Sequence, residues 1–130
     1  MDYRGSFEEV QEVLADLRER NGKIPILVEG KKDESALRSL GFTGEIVRVH
    51  SGWSITDLCD MIASRFDEII LFTDWDREGG SLCRRIEEHL EGRVLCDTDF
   101  RMTLVKHAVP RTVEGLPSWL MTMESRMDSG

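Results

Sequence analysis

Four short apolar runs, separated by stretches with helical periodicity, restrict this chain more than any other feature. The runs are IPILVEG (24–30), EIVRVHS (45–51), EIILFTD (68–74) and RVLCD (93–97). Between them lie KDESALRSL (32–40), SITDLCDMIASRF (54–66) and residues 79–91, with Gly41 and Gly92 as stops and Ser54 as a candidate cap. Strands alternating with helices need right-handed crossovers, which place helices on both faces of a parallel sheet. The expected fold class is therefore α/β, a three-layer α/β/α arrangement around a central four-stranded parallel sheet.

The flanks read as helices. In SFEEVQEVLADLRER (6–20), Phe7, Val10, Val13, Leu14 and Leu17 recur at helical intervals, and Ser6 with Glu9 has the spacing of a capping box. Asn21-Gly22 ends that helix. After the fourth run, Thr98 or Asp99 is the candidate cap of a helix reaching Ala108, which Pro110 breaks. SWLMTMESR after Pro117 forms the last helix, with Trp119 and Leu120 docking on the body and MDSG fraying. A length of 130 residues favours one domain spanning 1–130. No window is long and apolar enough for a membrane span, and MDYRGSFEEV lacks the regions of a signal peptide. The expected location is cytoplasmic. Cys59, Cys83 and Cys96 form no CxxC pattern and read as small apolar residues in a reducing compartment.

The ends of the runs carry the chemistry. The third run, the most apolar, leads into FTDWDREGG (72–80), which holds Asp74, Asp76 and Glu78 two residues apart. Two such charges about 4 Å apart repel by roughly 4 kcal/mol at an effective dielectric near 20. Residues two apart on an extended segment share a face, so Asp74, Asp76 and then Glu78 can converge. Oxygen donors without histidine or thiolate suit Mg²⁺, with Mn²⁺ as the substitute, and such an ion would relieve the repulsion. Glu29 ends the first run. Ligands of open parallel sheets bind beyond the carboxyl ends of the strands, at the switch in strand order. Order 2-1-3-4 would bring Glu29 to the Asp74/Asp76 pair, where it could act as general acid or base or help hold a second ion.

Two signatures together carry a resemblance. VEGKKDESALRSLG (28–41), followed about thirty residues later by FTDWDREGG, resembles the Toprim domain. That domain is shared by type IA topoisomerases, bacterial-type primases, certain nucleases and a ribosomal RNA maturase. Its Glu-Gly after the first strand matches Glu29-Gly30, and its Asp-x-Asp after the third matches Asp74-Trp75-Asp76. DREG (76–79) is similar to the topoisomerase version, whose third acid matches Glu78. The resemblance covers roughly residues 23–97 and extends to the small stand-alone Toprim proteins of archaea. It implies a single Toprim domain, with that core flanked by an N-terminal helix and a C-terminal helical extension. It also implies Mg²⁺ held by Glu29, Asp74, Asp76 and Glu78, with Glu29, Asp74 and Asp76 as catalytic residues.

Function follows by exclusion within the family. Tyr3 is the only tyrosine, and the chain has no room for a strand-passage gate or for the template-binding domains of a primase. Metal-dependent phosphodiester hydrolysis, as in the nuclease and maturase branches, needs less. The expected partner is nucleic acid, RNA or DNA. The alternative is a non-catalytic Toprim module that binds nucleic acid or a protein partner and works with another chain. A net charge of −8 argues against coating by bulk electrostatics. Lys31 and Lys32, at a helix start, and Arg77 are candidate phosphate contacts. Trp75 is a candidate for base stacking or for covering the core. Trp53 could line the crevice, and Asp97-Thr98-Asp99 repeats the two-residue spacing at the fourth run.

Overall fold

The computed structural model describes residues 3–107 and 110–129. In chain order the elements are α1 (Tyr3–Asn21), β1 (Ile26–Val28), α2 (Lys31–Ser39), β2 (Ile46–Arg48), α3 (Ile55–Arg65), β3 (Glu68–Leu71), α4 (Arg77–Leu90), β4 (Leu95–Asp97), α5 (Asp99–His107) and α6 (Leu116–Ser129). The four strands form one parallel sheet in the order β2-β1-β3-β4, with Ile26 opposite both Ile46 and Ile70 and Leu27 opposite Val47 and Leu71. The fold is the expected α/β Toprim arrangement, with strand order 2-1-3-4.

Alternation along the strands divides the interior in two. Ile26, Val28, Ile70 and Phe72 face a core built with α1, α2, α5 and α6. Leu27, Val47, Ile69 and Leu71 face a second core built with α3 and α4. Connection handedness explains the split. The step from β1 to β2 runs one way along the sheet and puts α2 on one face. The steps from β2 to β3 and from β3 to β4 run the other way and put α3 and α4 opposite. The direction therefore reverses between β1 and β3. Leu37 and Ile62, each with 0% of its surface exposed, show how dry both layers are. Burial of such a side chain is worth about 1.5–3 kcal/mol.

Several boundaries differ from the sequence expectation. Every strand is only three or four residues long. The third apolar run continues past the assigned strand: Phe72 and Thr73 stay buried, and the Phe72 N–H still donates to the Leu27 carbonyl at 2.8 Å. Helix α1 begins at Tyr3, so Ser6 lies inside it and does not cap it. Helix α4 begins at Arg77, earlier than expected, because Asp76 is its N-cap. Ser54 caps α3 as expected, accepting the Asp57 N–H at 3.1 Å. Helix α6 starts at Leu116 and takes Pro117 into its first turn, where no intrahelical N–H is required. It runs to Ser129, through most of the stretch expected to fray. Ala108 and Gly130 lie outside the described residues. No helix among the described residues is long and apolar enough to cross a membrane.

Candidate functional site

The carboxyl ends of β1 and β3 meet at the reversal point. Glu29 directly follows β1, and its Oε2 accepts the Asp74 backbone N–H at 2.8 Å. Asp74 is fixed on three sides. Its Oδ1 accepts the Val113 N–H at 2.9 Å. Its carbonyl accepts Nε and Nη2 of the buried Arg101 at 3.1 and 3.0 Å. Thr73, fully buried, donates its hydroxyl to the Gly79 carbonyl at 2.8 Å, and Asp76 Oδ1 accepts the Gly79 N–H at 2.7 Å. Gly79 is required at this position. A Cβ there would stand 1.9 Å from the Asp74 carbonyl oxygen, so the first turn of α4 can approach the loop this closely only without a side chain.

Each of these three carboxylates thus commits one oxygen to a backbone N–H. Glu29 Oε1, Asp74 Oδ2 and Asp76 Oδ2 accept no hydrogen bond from the described residues. No three His, Cys, Asp or Glu side chains among the described residues converge into a ready-made metal cage. The donor chemistry nevertheless fits a hard divalent cation. Magnesium takes one or two carboxylate oxygens, keeps several waters and borrows oxygens from substrate phosphates.

Charge supports that fit. The Asp74 carboxyl is pushed up from 3.8 to about 7, first by burial and then by the negative charges of Glu29, Asp33 and Asp76, against the lowering effect of the Val113 N–H. Among the described residues no cation pairs with the Asp74 carboxylate; the Arg101 guanidinium bonds to the Asp74 carbonyl. A half-buried acid cluster whose charges raise one another is an electrostatic deficit that a bound cation would reduce.

Asp33, on the first turn of α2, is a member of this cluster that the sequence patterns did not single out. It is buried, accepts the Gly30 N–H at 2.9 Å, and has its own carboxyl raised by burial, partly opposed by the Gly30 and Glu114 amides. The signal was present: Asp33 stands at the third position of a helix, where a carboxylate reaches back to the preceding N–H. Arg101 and Val113 had no such signal. Arg101, in the first turn of α5, acts on a carbonyl in a distant loop, and Val113 offers the site only its backbone N–H.

Other expected residues fall around this centre. Glu78 stands exposed on the first turn of α4, because the helix begins at Arg77 and the two-residue alternation stops at Asp76. Lys31, Lys32 and Arg77 are exposed at the starts of α2 and α4, on the same rim. Trp75 covers the core: it is 4% exposed, packs against Phe72 with ring centroids 5.8 Å apart, and donates its indole N–H to the Pro110 carbonyl at 2.7 Å. Base stacking is therefore closed to it. Asp97 is engaged elsewhere, with Arg20 at 3.4 Å and the Asp99 N–H at 2.9 Å. Trp53, 52% exposed, borders an open depression of about 670 Å³ along α3 that none of the clustered carboxylates lines.

The family model for the Toprim domain matches residues 24–106. The chain belongs to the Toprim family. It is 41% identical over 102 residues to a UPF0292 protein of Thermoplasma volcanium, covering 78% of this chain and 86% of that one. It is 36% identical over 107 residues to a UPF0292 protein of Thermococcus sibiricus, covering 82% of each. Such relatives place it with the small stand-alone Toprim proteins of archaea. A solved structure of a protein from Aquifex aeolicus shares the fold, with a TM-score of 0.70 and 28% identity over 80% of this chain and 94% of that chain. Within the Toprim match, Glu29 and the Asp74-Trp75-Asp76 segment face each other across the β1/β3 reversal.

Proposed function

We propose that this Toprim protein carries out Mg²⁺-dependent phosphoryl transfer on nucleic acid, with phosphodiester hydrolysis as the reaction. Toprim domains bind divalent metals such as Mg²⁺ and are associated with nucleic-acid processing. The observation that carries the reading is the 2.8 Å bond from the Asp74 N–H to Glu29 Oε2, which ties the two carboxylate segments into one crest.

Asp74 and Asp76 would hold the Mg²⁺, with Glu78 assisting from the first turn of α4. Mn²⁺ serves in its place. When bound, the ion supplies Lewis-acid polarisation of a phosphoryl oxygen and neutralises the charge of the acid cluster. The remaining work falls to the chain's own groups. Glu29, held by its Oε2, presents Oε1 as the general acid or base that moves a proton at the reacting oxygen. Lys31, Lys32 and Arg77 line the rim and contact substrate phosphates. Buried Arg101 holds the Asp74 backbone in place while charge changes above it.

The test is incubation of the purified protein with labelled single- and double-stranded RNA and DNA in Mg²⁺, Mn²⁺ or EDTA. Cleavage in the metal buffers, lost in Glu29→Gln and Asp74→Asn, is the expected result. The net charge of −8 favours a second reading, a module that relies on another chain for substrate binding. Binding without turnover would support that reading and overturn hydrolysis by this chain alone.

A further inference from the structure

We propose that residues 110–116 are a working part of the carboxylate site: a strap that aims Asp74 at the bound cation through the Val113 N–H, and whose seating is coupled to divalent-cation binding. This rests on the reading of Asp74 as a metal ligand. The strap lies outside the segment matched by the Toprim family, which ends at residue 106. Yet three hydrogen bonds join it to two consecutive residues of the acidic loop. The Trp75 N–H donates to the Arg111 carbonyl at 2.9 Å, the Trp75 indole to the Pro110 carbonyl at 2.7 Å, and the Val113 N–H to Asp74 Oδ1 at 2.9 Å.

The strap is built, not draped. The Thr112 hydroxyl accepts the Gly115 N–H at 3.1 Å, and the Leu116 N–H returns to the Val113 carbonyl at 3.1 Å. A Cβ on Gly115 would lie 2.9 Å from the Pro110 Cβ, so the turn is closed on itself. The Val113 and Leu116 side chains, both 0% exposed, anchor it in the core beneath α1 and α2. The next amide, of Glu114, faces the Asp33 carboxyl. Consecutive N–H groups of the strap thus serve the two segments that carry the acids, one at the start of α2 and one after β3.

The physical consequence concerns direction. The terminal torsion of an aspartate is broad and close to two-fold. An N–H fixed on Oδ1 selects one setting of the carboxylate plane and leaves Oδ2 as the single oxygen offered outward. Asp74 is thereby prepared to bind a cation through one oxygen. Because the strap favours the binding-competent setting, the cation must favour the seated strap by the same factor.

Hydrogen exchange read residue by residue on the intact chain tests this. Saturating Mg²⁺ is expected to slow exchange of the Val113 amide about fivefold more than that of the Val49 amide, which bonds the Val28 carbonyl beside β2 at 2.9 Å and reports global stability. Trp75→Phe removes the indole donor but no carboxylate, and is expected to weaken Mn²⁺ binding about fivefold, the effect of losing one hydrogen bond. If the wild-type protein takes up no Mg²⁺ or Mn²⁺ by titration, the ligand reading fails and the strap with it. Uptake with Val113 and Val49 protected equally overturns the strap alone, as does a folded Trp75→Phe protein with unchanged Mn²⁺ affinity.

Discussion

Replacing Asp74 by Asn should stabilise the metal-free protein in alkaline buffer, the opposite of what removing a buried, hydrogen-bonded side chain usually does. The asparagine carbonyl can still accept the Val113 N–H, so the 2.9 Å bond survives while the charge is lost. The Asp74 carboxyl is raised from 3.8 to about 7, mainly by burial. The folded protein therefore keeps a proton there up to near neutrality, whereas the unfolded chain has released it by about pH 5. Between those values the folded state binds more protons, so this group's contribution to stability falls as pH rises and is lowest above pH 7. A rise of about three units corresponds to a ceiling of about 4 kcal/mol, at roughly 1.36 kcal/mol per unit. Solvent screening at a half-buried crest reduces that to about 2 kcal/mol. For a chain of this size, that is a melting shift of roughly 6 °C. In EDTA at pH 8.5 the Asp74→Asn protein should melt higher by that amount, and the gap should shrink steadily toward pH 4. Adding Mg²⁺ should raise the wild type and leave the variant unmoved. A variant that melts below wild type at pH 8.5, or a gap that does not change with pH, would refute the electrostatic argument.

Three further substitutions probe how the crest is held. Gly79→Ala drives a methyl group into the Asp74 carbonyl at 1.9 Å, and should cost about 3 kcal/mol in urea denaturation and abolish Mg²⁺ uptake by calorimetry. Asn21→Ala leaves the Gly44 N–H and the Ile24 and Glu45 carbonyls without their buried partner, and should lower stability by about 3 kcal/mol on the same assay while sparing metal affinity. Arg101→Met keeps most of the buried stem but removes both donors from the Asp74 carbonyl. A loss of about 2 kcal/mol is expected in the urea midpoint, with the sheet's circular dichroism unchanged.

The sheet was legible in the sequence because its signals are local. Apolar runs, stops and the Ser54 cap can each be read within a few residues, and the strand order followed from asking which ends would bring Glu29 to Asp74. The limits of the elements were less legible. Phe72 and Thr73 look like strand because they are buried, and the Phe72 N–H still bonds the Leu27 carbonyl of β1, but the Thr73 hydroxyl already turns to the Gly79 carbonyl at the start of α4. Asp76 has two roles, cap and acid, and only the acid was apparent, so α4 was expected to begin later than it does. Much of what holds the site has no sequence signature. Arg101 acts through a carbonyl in a distant loop, and Val113 acts through its amide, which every residue but proline possesses.

The outer strands β2 and β4 expose their free edges over only three residues each, with Arg48 on one and Asp97 on the other. A neighbouring molecule adding a strand there would find too few open amides to form a lasting ladder. The small sheet can thus leave both margins uncovered, Leu95 included at 67% exposure, without seeding fibrous association.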